Sequence, residues 1–439
     1  MFYPDFTKEY LKNIEENPDY YGRDYFALME ESVEKRKLYK DQVIPMTYQG
    51  IFLEEEQIGL FQKILSTMAS IGRKVRDEFV RNPLYRKGFH FDPITEELIL
   101  IDPGYSMPVP IGRYDIFYNG GDDFKFCELN TDGSSAMNED RVLGQILLSS
   151  KIIEEMQKTW IIKPFELFDS LVSFLTSYYE QIKGKRAESV AILDFMDKAT
   201  SIEFQVFQKA FEKRGFPCYI VDPRDLRYKQ GKLYFEDHPI DLIYRRLVTS
   251  DAVERIDFLE DLLKAYQDQA VIMMGSFQSQ IMHSKLIFSV LQNDQTKKIL
   301  SQEEWEFVNK HLPKTYELLT EEDKKEVLQK KDSYILKPYN AYASQGILLG
   351  REHSQEEWGK KIAALPMDSY IYQEYIDMDP TPFVVYDKDF SIQKFSHVLG
   401  LFMYGEKFAG SYTRIGQEGL ISGARKYFTT PVFKVSKSV

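Results

Sequence analysis

Apolar and polar positions follow two different periods along the chain, and each change of period marks a new part of it. Up to about residue 84 the apolar residues recur at heptad-like spacing, as in Ile51, Phe52, Ile58, Phe61, Ile64 and Leu65, which predicts helix. The start of this segment is acidic and reads as a solvated helical face. From residue 97 the character changes. Glu97-Leu98-Ile99-Leu100-Ile101 leads into a Pro/Gly-rich turn, and residues 114–118 and 124–129 then flank Asn119-Gly120-Gly121-Asp122-Asp123. Two short runs around such a turn predict a β-hairpin. Helices are expected from about 139 to 183.

Residues 189–195 form a short apolar run, residues 201–214 a helical pattern ending at Gly215, and residues 218–221 a second apolar run. That order predicts a parallel, right-handed βαβ unit. No GxGxxG follows its first strand, so it carries no dinucleotide fingerprint. A third strand is expected at 241–246. Helical segments dominate from 275 to 329, strands follow at 334–338, 347–349 and 370–376, and further strands at 383–412 run into a Gly-rich polar tail. Without repeats or low-complexity linkers, the parts are expected to be interwoven.

Composition narrows the class. At about 150 residues per domain, 439 residues allow about three domains or one multi-lobed enzyme. A formal charge of −12 excludes a duplex-binding protein, which needs a dominant basic face. The two cysteines, Cys127 and Cys218, lie far apart, so neither a disulfide framework nor a thiolate metal site is expected. The first ten residues lack the apolar core of a secretory signal. No stretch approaches the about 18 apolar residues of a spanning helix. The expectation is a cytoplasmic protein with neither a nucleic-acid nor a membrane partner. Aromatic residues reach 14%, enough to fill cores, line a cleft, or both.

Four constellations carry candidate chemistry. In a strand, residues i and i+2 share a face, so Arg113 goes with Asp115 and Glu128 with Asn130. A closed hairpin would bring two carboxylates, one amide oxygen and one guanidinium together. Hard oxygen ligands suit Mg2+, and arginine suits phosphate or carboxylate. The same alternation also fits the wet face of an ordinary hairpin. Lys285, after His283 and Ser284, lies on an expected helix, where a lone lysine is usually solvated. His283 has no metal-spaced partner nearby. Lys337 ends an apolar strand and precedes a small, flexible loop reaching Gly346. The N–H groups of such a loop wrap an anion while the lysine supplies charge. It is not a Walker A sequence, and a plain surface loop has the same composition. Residues 388–439 hold eight Lys/Arg against three acids, which reads as a local anion site or a solvated basic end.

Taken in order, these pieces resemble the synthetase domain of glutathionylspermidine synthase, one of the circularly permuted ATP-grasp ligases, as is eukaryotic glutathione synthetase. The similarity rests on Arg113-Tyr114-Asp115, Glu128-Leu129-Asn130-Thr131-Asp132, His283-Ser284-Lys285, Lys337-Pro338 through Gly346, and Ser411-Tyr412-Thr413-Arg414 with Leu420-Ile421-Ser422. It implies a mixed α/β ATP-grasp fold, circularly permuted, with an inserted βαβ subdomain and a helical N-terminal region. The implied parts are a helical region at 1–94, a metal-binding hairpin with helices at 95–184, a βαβ subdomain at 185–274, and a nucleotide-binding region at 275–439 whose lid spans about 325–375. The implied activity is ATP-dependent joining of a carboxylate to an amine through an acyl phosphate, with ATP and Mg2+ as cofactors. The carboxylate would be a small molecule or peptide, and the amine a polyamine or amino acid.

The resemblance also implies roles. Asp115, Glu128 and Asn130 would hold Mg2+, and Arg113 would touch the transferring phosphate. Lys285 and Lys337 would bind ATP, with Ser344, Gln345 and Gly346 on its phosphates. Gln373, Glu374, Tyr375 and Ile376 would form the hinge against adenine, and Arg414 would stabilise the acyl phosphate. The loop departs from the family's Gly-Arg-x-Gly by reading Tyr342-Ala343-Ser344-Gln345-Gly346. Two other readings remain open at this level: a nucleotide-binding scaffold, and a kinase that stops at a phosphorylated product.

Overall fold

A computed structural model describes residues 4–39, 42–199, 201–339, 346–387, 389–421 and 427–438. The architecture is mixed α/β. Its largest sheet is antiparallel, with the hairpin strands Ile111–Gly120 and Asp123–Asn130 at one edge. The strands Phe390–Tyr404, Lys407–Gly416 and Phe428–Thr430 follow, and Thr381–Tyr386 pairs with the long strand Phe390–Tyr404.

The helix Glu55–Arg81 covers the back of this sheet. Glu54 starts it through a capping box with Gln57, and Phe61, Ile64, Leu65 and Met68 lie on its buried stripe. The Phe61 ring meets Tyr118 at 5.2 Å and Phe408 at 5.6 Å. Full burial of one such side chain contributes about 1.5–3 kcal/mol, which is what fixes the helix to the sheet.

The helical expectation for residues 1–84 needs correction: Lys37–Tyr39 and Gln42–Val43 form a short antiparallel strand pair. Ile51 and Phe52 belong to the buried strand Ile51–Leu53, not to a helix. That strand runs parallel to Val432–Lys437, which also pairs with Trp160–Pro164, a strand inside the stretch expected to be helical from 139 to 183. The misreadings of Ile51–Leu53 and Trp160–Pro164 have one cause: the partner strand lies near the other end of the chain, beyond any local pattern. A strand at Thr315–Glu317 likewise interrupts the helical stretch 275–329.

The expected βαβ unit is present. Val190–Leu193 lies between Cys218–Val221 and Leu242–Arg245, and Ile272–Met274 closes the sheet, with every pairing parallel. All four residues of Val190–Leu193 are buried, as in parallel sheets covered on both faces. The carboxyl ends of these strands open toward the cavity described below, the usual ligand side of such sheets.

Residues 315–374 form a smaller module. Its antiparallel sheet is ordered Thr315–Glu317, Tyr370–Glu374, Tyr334–Pro338, Leu348–Leu349, with helices Glu321–Gln329 and Gln355–Ala364 on one side. It has a core of its own around Leu318, Val327, Leu336, Trp358 and Ile362. His90, from the N-terminal region, bridges to it: Nε2 lies 3.0 Å from Glu317 and Nδ1 3.4 Å from Asp368. No helix among the described residues is long and apolar enough to cross a membrane.

Candidate active site

The hairpin register creates the site. Arg113 pairs with Asn130 and Asp115 with Glu128, so the four side chains meet on one face. Alternation alone would not do this. Phe124 and Phe126 point into the core, and strict period two would send Glu128 there as well. A bulge intervenes: Asp115 opposes Glu128 while Ile116 opposes Phe126, leaving Cys127 unpaired. Parity flips, Leu129 takes the core position, and Glu128 and Asn130 turn to the cavity. Burial pushes the Cys127 thiol up to about 12, so it remains a neutral structural group.

The polar contacts are dense. Arg113 donates to Asp115 through Nε (2.7 Å) and Nη2 (3.0 Å), and its Nη1 donates to the Ser135 carbonyl (3.0 Å). Asn130 Nδ2 donates to Asp115 Oδ2 (3.1 Å) and Glu128 Oε1 (3.0 Å). Burial raises the Asp115 carboxyl despite the Arg113 guanidinium. Burial also pushes Glu128 upward, but the Asn130 hydrogen bond and the charges of Arg113, Lys337 and Lys285 outweigh it and hold the carboxyl below its ordinary value. A Cβ at Gly400 would lie 2.6 Å from Arg113 Cδ and 2.8 Å from Asp115 Oδ1. This mid-strand glycine therefore makes the room the pair occupies. Its only signal in the sequence is a lone glycine between Leu399 and Leu401, and the sequence reading missed it.

Lys337 reaches the hairpin from the small module. Its Nζ donates to Gln373 Oε1 (2.7 Å) and to the carbonyl of the bulged Cys127 (3.2 Å). Gln373 Nε2 in turn donates to Thr315 Oγ1 (2.9 Å). Gln373 thus orients Lys337. The N–H groups of Glu374 and Tyr375 are spent on the Lys314 and Ser333 carbonyls, and the Tyr375 hydroxyl donates to the Gly419 carbonyl (3.0 Å). Of the expected hinge, Ile376 is left with its backbone N–H outside these bonds.

Lys285 follows the short helix Ser279–His283 rather than lying on it. His283 donates from Nδ1 to the Leu129 carbonyl (3.1 Å), which docks that helix on the hairpin. Burial, seconded by the repulsion of Lys337 and opposed by Glu128, lowers the Lys285 ammonium to about 8.

At the far side, Arg414 Nε donates to the Tyr412 hydroxyl (2.9 Å), and its guanidinium also lies 5.5 Å from the Tyr427 ring. Tyr412 donates to Glu139 Oε2 (2.6 Å). Tyr412 belongs to the Ser411–Arg414 run, in which the resemblance gave a role to Arg414 alone, and Glu139 was not singled out by sequence. Of the basic residues after 388, Arg414 is the one described residue that lines the cavity. Lys434 pairs with Glu55 and Lys437 lies near Asp5, on the surface, while Lys388, Arg425 and Lys426 fall outside the described residues. Among the described residues, the basic stretch is thus mainly a solvated edge.

All described candidates except Gly346 line one cavity of about 1400 Å³ between the hairpin, the βαβ sheet and the small module. Gly346 is exposed with φ +69°, and Ser344 and Gln345 lie outside the described residues. The donor set fits a hard divalent cation. Two carboxylate oxygens converge on the single Asn130 nitrogen, and rotating that amide by half a turn presents a third oxygen to the same point.

No curated protein sequence matches the chain. Among solved structures, the apo form of a glutathione synthetase-like effector from Globodera pallida aligns over 96% of this chain and 98% of its own, at 13% identity and TM-score 0.62, a likeness of fold. A RimK-domain ATP-grasp protein from Sphaerobacter thermophilus covers 57% of this chain and 90% of its own at 13% identity, with a TM-score of 0.29. D-alanyl-alanine synthetase A from Vibrio cholerae covers 56% and 89% at 8% identity and TM-score 0.28. Neither of these two bears on the argument. The model of the circularly permuted ATP-grasp type 2 family matches residues 142–416, beginning just after the hairpin. With well over half its length in that match, the chain belongs to the circularly permuted ATP-grasp type 2 family.

Proposed function

We propose that the protein is an ATP-dependent carboxylate–amine ligase working through an acyl phosphate. One observation carries the reading: a carboxylate–amide cluster on the hairpin, with Arg113 beside it, shares a cavity with Lys285, Lys337 and Arg414 from three other places in the chain. A polyphosphate needs that balance of charge, because its transfer is catalysed almost wholly by positioning and electrostatics.

Lys285 and Lys337 neutralise the nucleotide phosphates. Asp115, Glu128 and Asn130 would hold Mg2+, which would supply positive charge to offset that of the phosphates. Arg113, beside this cluster, and Arg414, across the cavity on the neighbouring strand system, hold the substrate carboxylate and then the acyl phosphate, since a guanidinium matches both geometries. The amine attacks the acyl carbon, and phosphate leaves. Water must be kept from the acyl phosphate, and the module at 315–374, with its own core and the His90 bridge, is the part that closes over the cavity. Its closure carries Lys337 onto the hairpin. The carboxylate is a small molecule or peptide, and the amine an amino acid or polyamine.

The test is ADP release across a panel of carboxylates and amines, with the product weighed by mass spectrometry. An amide supports the ligase. A phosphorylated product that accumulates would make it a kinase, and tight ATP binding without turnover would make it a scaffold.

A further inference from the structure

The lysines, arginines and hairpin acids account for phosphate and carboxylate, but none of them takes the proton from the attacking amine. A primary amine is an ammonium ion at neutral pH and has no lone pair to attack with. Glu139 is a cavity carboxylate that this chemistry leaves unused. It lies in the first turn of the helix Met137–Leu148 and opens on the cavity. Its direct partner is a neutral hydroxyl, that of Tyr412 at 2.6 Å. Other cavity acids of this region are tied to cations: Asp132 to Arg245, Glu203 to Arg246 and Asp251 to Lys198.

Resting on the ligase reading, we propose that Glu139 is the proton acceptor for the incoming amine. Its neighbour Tyr412 also receives the Arg414 Nε, so the chain Arg414–Tyr412–Glu139 sets the carboxylate beside the arginine assigned to the acyl phosphate. The groups facing Glu139 are Tyr412 and Arg414 from one strand, Arg113 from the hairpin, Glu203 from the helix Ser201–Lys213, and Tyr427. Burial raises its carboxyl above the ordinary value against the pull of Tyr412 and Arg414, which makes it a stronger base than a solvated glutamate.

The step balances. The ammonium gives one proton to the Glu139 carboxylate. The freed nitrogen lone pair forms the C–N bond as the C–O bond to phosphate breaks, and the departing phosphate keeps that electron pair and takes the second nitrogen proton. Amide, hydrogen phosphate and protonated Glu139 remain.

The experiment compares nucleophiles in the full chain with ATP and Mg2+. Hydroxylamine is uncharged at neutral pH and needs no base before attack. Glycine and 1,4-diaminobutane are ammonium ions there. Carboxylates are drawn from a panel of amino acids and dipeptides. Glu139→Gln keeps an acceptor for the Tyr412 hydroxyl, so it separates proton transfer from positioning. The expected result is that ligation to the ammonium nucleophiles falls about a hundredfold more than hydroxamate formation at pH 7. That gap should narrow as pH rises toward the amine's own titration. Equal losses with both nucleophiles would make Glu139 a positioning residue and overturn the proposal, as would no loss with either. A wild-type protein that forms neither hydroxamate nor amide from any carboxylate would instead overturn the ligase reading itself.

Discussion

Two buried arginine–carboxylate pairs meet on the same stretch of chain, and they behave in opposite ways. Asp132 and Arg245 show side-chain exposures of 1% each. Arg245 has further partners in the carbonyls of Gly275, Leu247 and Ser276, and Asp132 also accepts the Thr249 N–H. Burial pushes the Asp132 carboxyl up, but Arg245, His283 and the Thr249 amide outweigh it and hold it low. Arg113 and Asp115 are almost as buried, yet Asp115 stays raised, and both line the cavity. The first pair is a saturated strut tying the hairpin to the parallel sheet. The second keeps unspent capacity facing open volume. Asp132 also lines the cavity, so what sets the two pairs apart is how far fixed partners already fill each carboxylate's hydrogen bonding.

The largest effects should separate these two roles. Asp132→Ala leaves the Arg245 charge buried and unpaired, which costs about 3–5 kcal/mol and should appear as a large drop in the thermal unfolding midpoint. Glu128→Ala and Lys337→Ala should each cut ATP turnover by about a hundredfold or more while leaving that midpoint near wild type. A Glu128→Ala protein that unfolds early yet turns over normally would reverse the comparison.

A medium effect concerns Lys285. Its ammonium titrates at about 8, so it is charged at neutral pH and loses its proton above that. A bound polyphosphate favours the protonated form. Nucleotide affinity should therefore be full below about pH 8 and fall by up to about tenfold per unit above it, with proton uptake on binding near pH 8. Calorimetry in buffers of different ionisation enthalpy reads that uptake directly. Lys285→Arg should flatten the pH dependence. The same shift acts on stability with the opposite sense: the unfolded chain holds this proton to higher pH than the folded one, so this group's contribution to stability rises between about pH 8 and its ordinary value.

The hairpin, the parallel unit and the strands around Lys337 were legible because each is specified locally, by a turn, a period or an apolar run. The pairing of Arg113, Asp115, Glu128 and Asn130 followed from period two, but only with the help of the bulge at Cys127, which no local signal announced. The contact of Gln373 with Lys337 was not legible, since it depends on cross-strand register. The contact of Glu139 with Tyr412 was not legible because the two are distant in sequence, and only the fold brings them within 2.6 Å. The strands Ile51–Leu53 and Trp160–Pro164 were lost for the same reason, each being defined by a partner at the C-terminal end.

The smallest effect tests the charge of that same end. Lys434 and Glu55 are exposed by 44% and 78% at the side chain, where a salt bridge is screened and entropically costly. Lys434→Ala should change stability by no more than about 0.5 kcal/mol and leave ATP affinity unaltered. Arg414 belongs to the same basic stretch but lies in the cavity with its Nε on Tyr412, so Arg414→Lys should cost turnover, because an ammonium reproduces neither the fork nor the stacking. Equilibrium binding and turnover of the two variants side by side decide whether the basic C-terminal stretch acts as a field or through one residue. Equal weakening of ATP binding in both would mean a field, whereas a turnover loss confined to Arg414→Lys means that position within the cavity, not net charge, makes a cation functional here.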